Sequence, residues 1–232
     1  MQNIKVPVRK KGGSSGLLKR LLKDRSGLAL TEFAFSLPIF MGLGFYGLEI
    51  SNLAIINMQL SQTALNLADN ASRLGQTNNG IVAPTITESD VMRSFRGTAL
   101  QSKNIDLLSR GRVILSSLEL DSNNNQLIRW QRCKGVHNGQ AIYGGQGTNG
   151  TSDTSFTGMG QQGSEVAAVY GTAIMFVELE YKFEGMFGDL FVKPRVIRQE
   201  AAFNIRDDRN LSAGLANDGG PRALCNIYND TF

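Results

Sequence analysis

The sequence predicts an α+β protein: a long N-terminal helix, apolar where it begins and amphipathic where it ends, packed on a small antiparallel sheet. Three observations carry that expectation. An uncharged apolar run, FAFSLPIFMGLGFYGL, fills residues 33–48. A stripe of mostly apolar residues at three- and four-residue spacing continues from it to residue 74. Beyond residue 110, segments of alternating or β-branched character are separated by turn-rich stretches.

The charge is unevenly placed. The 232 residues carry 24 Lys and Arg against 20 Asp and Glu, a formal +4. Residues 1–27 hold Lys5, Arg9, Lys10, Lys11, Lys19, Arg20, Lys23 and Arg25 against Asp24, a charge of +7, so the other 205 residues carry −3. A duplex-binding domain needs a basic face for its phosphate contacts, and a folded part of net negative charge speaks against nucleic acid as its partner. Two cysteines and one histidine leave little material for a structural zinc site, and no cofactor motif is present.

From Phe33 to Ile50 a helix would rise roughly 27 Å, close to the hydrocarbon thickness of a bilayer. The expected membrane span is therefore about 31–52. The eight basic residues precede it, whereas the 25 positions after Ile50 contain only Asp69 and Arg73 as charges. The positive-inside rule then places 1–27 in the cytoplasm and 76–232 on the far side. A secretory signal peptide has a similar plan, but this apolar run is longer than a usual h-region and no clear small-x-small site follows it. Instead Leu53, Ile56, Leu60, Thr63, Leu67, Asn70 and Leu74, with Ala64 and Ala71 beside the polar positions, continue at helical spacing. One helix over 28–75 is expected.

Directly before the apolar run stands Arg25-Ser26-Gly27-Leu28-Ala29-Leu30-Thr31-Glu32-Phe33. A basic leader, a glycine, a glutamate five residues on and then an apolar helix resemble the processing site of type IV prepilins. The resemblance implies cleavage after Gly27 by a membrane prepilin peptidase, with Leu28 as the new N-terminus and Glu32 as its fifth residue. A glycine before the scissile bond permits close approach to the backbone, and the leader's cations hold the bond at the cytoplasmic surface. A carboxylate at that depth needs a partner. In the family it is a free N-terminal ammonium, its own or a neighbouring subunit's, so Glu32 and Phe33 are the expected assembly residues.

Thr31-Glu32-Phe33-Ala34-Phe35-Ser36-Leu37-Pro38, followed by Gly47-Leu48-Glu49, is similar to TadE-type pseudopilins of the Tad/Flp tight-adherence pilus. Pro38, lacking an amide hydrogen, is expected to kink or loosen the helix locally. Glu49 lies 17 positions after Glu32, about 25 Å along a helix. It is expected at the opposite interface, hydrated or facing a cation of an adjacent subunit. Leu28 departs from type IV pilins that carry Phe there, which weakens a type II secretion or type IVa assignment more than a Tad one.

In the outer part, 76–84 reads as a turn-rich break and 89–108 as a helix with Val91, Phe95, Leu100 and Leu107 or Leu108 as apolar contacts. Strands are expected at 112–120, 126–133, 173–183 and 195–205, the third with Val177, Leu179, Tyr181 and Phe183 on one face. Asp121-Ser-Asn-Asn-Asn125 suits a hairpin turn better than a calcium loop, because Gln126 and Arg132 stand where an EF-hand needs glycine and a bidentate acid. Residues 137–164 contain eight glycines among small polar residues, a composition that reads as a long flexible loop. Tyr181-Lys182-Phe183 with the apolar connection 184–191 extends the TadE resemblance, at reduced strength, and implies a pilin-like domain.

Cys133 and Cys225 would join the C-terminal tail to the sheet if the domain is periplasmic; two unpaired thiols are the alternative. His137 is alone in a glycine-rich loop, and no nucleophile stands beside a base in a recognisable motif. The expectation is a non-enzymatic minor pilin in a bacterial inner membrane, single-pass, with the C-terminal domain in the periplasm. Its expected partners are a prepilin peptidase, other pilins and Tad inner-membrane platform proteins. The alternative is an uncleaved bitopic protein whose outer domain binds a partner or ligand.

Overall fold

The computed structural model describes residues 19–20, 22–23, 26–75, 83–150, 155–206, 209–211 and 214–232. Most of the basic leader, and 76–82 of the expected break, lie outside the described residues. Two compact units are separated within the first helix, Met1–Leu48 and Glu49–Phe232.

Helix α1, Ser26–Ser72, is 47 residues long and continues through Pro38. It is the one helix among the described residues long and apolar enough to cross a membrane. In the first unit Phe35, Phe40 and Leu43 all face outward. In the second, α1 buries Ile56, Leu60, Thr63, Ala64, Leu67, Ala68 and Ala71. Leu53 and Leu74 pack at the margin of the core. Asn70, expected in the stripe, is exposed. The helical period of 3.6 drifts relative to a seven-residue repeat, so Ala68 and Ala71 carry the buried face at this end.

The last turn of α1 holds no basic residue. Its carbonyls accept from the amides of Arg73 and Leu74 just beyond it and from residues far along the chain. Arg209 Nη2 donates to the oxygens of Ala71 (3.2 Å) and Ser72 (2.6 Å), and the Arg206 amide donates to Ser72 O at 3.3 Å. Both cations also suit the negative end of the helix dipole.

Helix α2, Glu88–Gln101, opens with a capping box. Thr87 Oγ1 accepts from the Asp90 amide, and Asp90 accepts from the Thr87 amide at 2.9 Å. The single helix expected over 89–108 is interrupted. A 3₁₀ turn, Lys103–Ile105, and Asp106 at φ 51° separate α2 from the short α3, Leu107–Arg110. Val91, Phe95, Leu107 and Leu108 are buried, but Leu100 is 77% exposed. Nine positions after Val91, it points half a turn away from the buried face.

Strands β1 Gly111–Leu120, β2 Gln126–Lys134, β3 Ile174–Phe183 and β4 Arg195–Asn204 form one antiparallel sheet in the order β2-β1-β3-β4. In the β1–β2 turn, Asp121 Oδ1 accepts from the amides of Asn123 (2.8 Å) and Asn125 (2.9 Å), and Asn124 takes φ 62°. Val113, Leu115, Val177, Leu179, Tyr181 and Phe183 meet α1 and α2 in the main core. On the other face Leu118, Ile128, Ile174 and Phe176 are covered by Met159 and Ala168. The Gly-rich segment thus supplies more apolar cover than its composition suggests. Met159 is fully buried, and Tyr143 meets Phe176 edge to face with ring centroids 5.5 Å apart.

Candidate functional site

At the N-terminal end of α1, Gly27, Leu28, Glu32 and Phe33 are all exposed. Nothing lies within 4 Å of where a Gly27 Cβ would stand. The first amides of a helix have no intrahelical acceptor, and helix ends fray, so the Gly27–Leu28 bond lies in the part of α1 that is easiest to open. Thr31 Oγ1 donates to Leu28 O at 2.8 Å. Pro38 removes the amide that would bond the Ala34 carbonyl, yet α1 is assigned as one helix across it.

Glu49 has a different role from the one expected. It is fully buried rather than hydrated, and its partners lie in its own chain. The Met186 amide donates to Glu49 Oε1 (3.1 Å), and the Phe187 amide donates to Oε2 (3.3 Å). Gly185 lets the loop come this close. A Cβ there would stand 2.6 Å from Glu49 Oε1 and 2.5 Å from Gly188 O. The carboxylate therefore ties α1 to the β3–β4 connection through backbone donors. No residue type in a sequence announces such donors.

Cys133 and Cys225 are joined by a disulfide. Around it the C-terminal tail follows the outer edge of β2. The Cys133 amide donates to Ala223 O (2.8 Å) and the Gly135 amide to Asn229 O (2.9 Å). From β1, the buried Arg112 donates Nη1 to the carbonyls of Gly135 and Ile227 (both 2.8 Å) and Nη2 to Cys225 O (2.6 Å). Its guanidinium also lies 4.2 Å from the centroid of the Tyr228 ring. Lys134 Nζ donates to Asn229 Oδ1 at 2.7 Å and to Thr231 O. The tail covers the Cys133 end of this sheet edge, and residues 147–150 bond Gln126 and Ile128 at its other end.

A buried ion-pair cluster joins α2, β2 and the tail. Glu88, at the start of α2, bonds Arg132 of β2 and Arg222 of the tail. Burial alone would raise the Glu88 pKa, but these two guanidiniums hold it below the usual carboxylate value.

The Gly-rich segment brings His137 to the second face of the sheet, with Nε2 3.7 Å from Glu180 Oε2, so the histidine is not isolated. Arg198 Nε donates to Glu180 Oε1 at 2.6 Å, Tyr143 OH to Glu200 Oε1 at 2.8 Å, and the Ile142 amide to Glu178 Oε1 at 2.6 Å. Glu178 Oε2 is buried without a hydrogen-bond partner. Burial pushes the Glu178 pKa up to about 7, with the charges of Glu200 and Glu180 adding to the rise and the Ile142 amide opposing it. This arrangement holds residues 137–143 to β3 and β4. Its signal in the sequence is the Glu178, Glu180 alternation opposite Val177, Leu179 and Tyr181; the partners come from another segment. Among the described residues, no three His, Cys, Asp or Glu side chains are grouped to hold a metal ion.

Comparisons with protein-family models, curated proteins and solved structures find no match to this chain.

Proposed function

We propose that the chain is a TadE-like minor pilin, or pseudopilin, of a bacterial Tad (Flp) pilus, anchored by α1 in the inner membrane with a pilin-like domain in the periplasm. The observation that carries this reading is a register. Gly27, Leu28, Glu32 and Phe33 occupy the first two turns of an unbroken helix whose following residues are apolar and exposed. Hydrolysis of the Gly27–Leu28 bond would release the leader and leave an ammonium on Leu28. Glu32 stands four residues on, on the same helix face, so it can pair with that ammonium or with a neighbour's. Phe33 begins the apolar surface along which helices of successive subunits would bundle. Prepilin peptidase, other pilins and the Tad platform proteins are the partners that follow.

The test is the intact mass and N-terminal sequence of protein extracted from membranes of cells with an active prepilin peptidase. A chain beginning at Leu28, and loss of that form in Gly27→Leu, support the reading. A chain that keeps residues 1–27 overturns it and leaves an uncleaved bitopic protein.

A further inference from the structure

The connection between β3 and β4 carries an apolar surface that neither processing nor subunit pairing uses. Its ends are anchored: Phe183 and Val192 are buried, and Phe191 packs at the core margin. Between them the loop is braced by the Gly188 amide donating to Gly185 O at 3.3 Å and by an edge-to-face contact of Phe187 with Phe191. Met186 (66% exposed) and Leu190 (76% exposed) project outward from this braced loop, with Phe187 at its rim. Flexible polar loops do not hold side chains of this kind in water.

Glu49 fixes the height at which they project. It directly follows Leu48, the end of the uncharged run, and Ile50 beside it is itself exposed. A bilayer that takes in α1 as far as Ile50 has its outer boundary at this level. The two amides that bond Glu49 belong to Met186 and Phe187. Lys182, which pairs with Glu184 at 3.2 Å, and Lys193 and Arg195 on the β4 side, all exposed, flank the loop and outnumber its acids Glu184 and Asp189, as cations near headgroups do.

We infer that the loop Glu184–Val192 is a second membrane contact, in which Met186, Phe187 and Leu190 enter the headgroup–acyl boundary of the outer leaflet while Glu49 holds the loop in place. It rests on the reading of α1 as a membrane helix and deepens it, because one helix alone leaves an attached domain free to tilt. Two contacts fix its orientation for meeting other subunits.

The test uses the full chain in phosphatidylethanolamine–phosphatidylglycerol bilayers with acyl chains brominated along their length, which quench tryptophan at any depth in the hydrocarbon. Trp130, the single native tryptophan, is buried and sets the background. Leu190→Trp is compared with Phe40→Trp in α1 and with Tyr170→Trp, a position 88% exposed on the outer domain. Quenching of the Leu190→Trp chain close to that of Phe40→Trp and several-fold above Tyr170→Trp supports the inference, as does its fall when Glu49→Ala is added. Quenching equal to Tyr170→Trp, with Phe40→Trp quenched, overturns the loop contact alone. No quenching of Phe40→Trp overturns the membrane reading and the inference with it. Protection of the Leu190→Trp chain from both bromolipid and aqueous acrylamide shows the loop covered by protein and overturns the lipid assignment. Unchanged quenching in Glu49→Ala overturns the role given to the clamp.

Discussion

Up to Leu48, α1 presents Phe35, Phe40 and Leu43 outward, whereas from Glu49 onward it buries Leu60, Leu67 and Ala68 against a sheet. The backbone is the same in both halves; the distribution of apolar side chains differs. In the first half they surround the helix, which suits an apolar solvent on every side. In the second they form one stripe, which suits a protein core on one side and water on the other. Glu49 is the first residue of the second regime, and it is bonded there by the domain's own loop.

Five substitutions would break or sharpen that contrast. The largest effect is expected from Leu60→Ala, which opens a cavity at a fully buried position and should cost about 2–5 kcal/mol. Leu43→Ala, in the apolar half, should leave the outer domain's stability unchanged. Denaturant unfolding of the detergent-solubilised chain, followed by Trp130 fluorescence, measures both; equal losses would mean that the two halves share one fold.

Glu178 should make the outer domain pH-dependent. With its folded pKa raised to about 7, the unfolded chain gives up this proton first as pH rises, so stability falls between roughly pH 4.5 and 7. The loss is at most about 3 kcal/mol and levels off above that window. Glu178→Gln should flatten the slope relative to the parent chain. A parallel pH profile would mean that Glu178 ionises normally.

Glu49→Ala removes the acceptor for two loop amides and should cost about 1–3 kcal/mol. Hydrogen exchange of the Met186 and Phe187 amides reads it directly: they should exchange faster while β1 amides stay protected. Glu32→Ala, like Leu43→Ala, should leave the outer domain's stability within about 0.5 kcal/mol of the parent chain. Under the pilin reading this variant is cleaved but fails in assembly. Normal piliation would take Glu32 out of the assembly role, and a destabilised outer domain would contradict the contrast itself.

Local pattern made much of the fold legible. The four strands differ from expectation by one residue at their ends, because alternation and turn residues such as Asp121 and Asn124 act over a few positions. The interruption after Gln101 was not legible: Val91, Phe95, Leu107 and Leu108 share an apolar character that reads as one helix, and the left-handed Asp106 leaves no mark on it. Of the candidate site residues, Gly27, Leu28, Glu32 and Phe33 lie along one exposed helix end. Glu49 was recognisable as the end of the apolar run, but its burial was not.

The sequence by itself determined the apolar start of α1, the amphipathic stripe that follows and the alternation of the strands, since hydropathy and period are properties of neighbouring residues. Only the tertiary structure decided that Glu49 binds amides 137 and 138 positions away, that Arg209 closes the end of α1, and that Arg112 and the Cys133–Cys225 disulfide hold the tail. Those partners are chosen by chain topology and by backbone groups, which every residue carries and which no local pattern distinguishes.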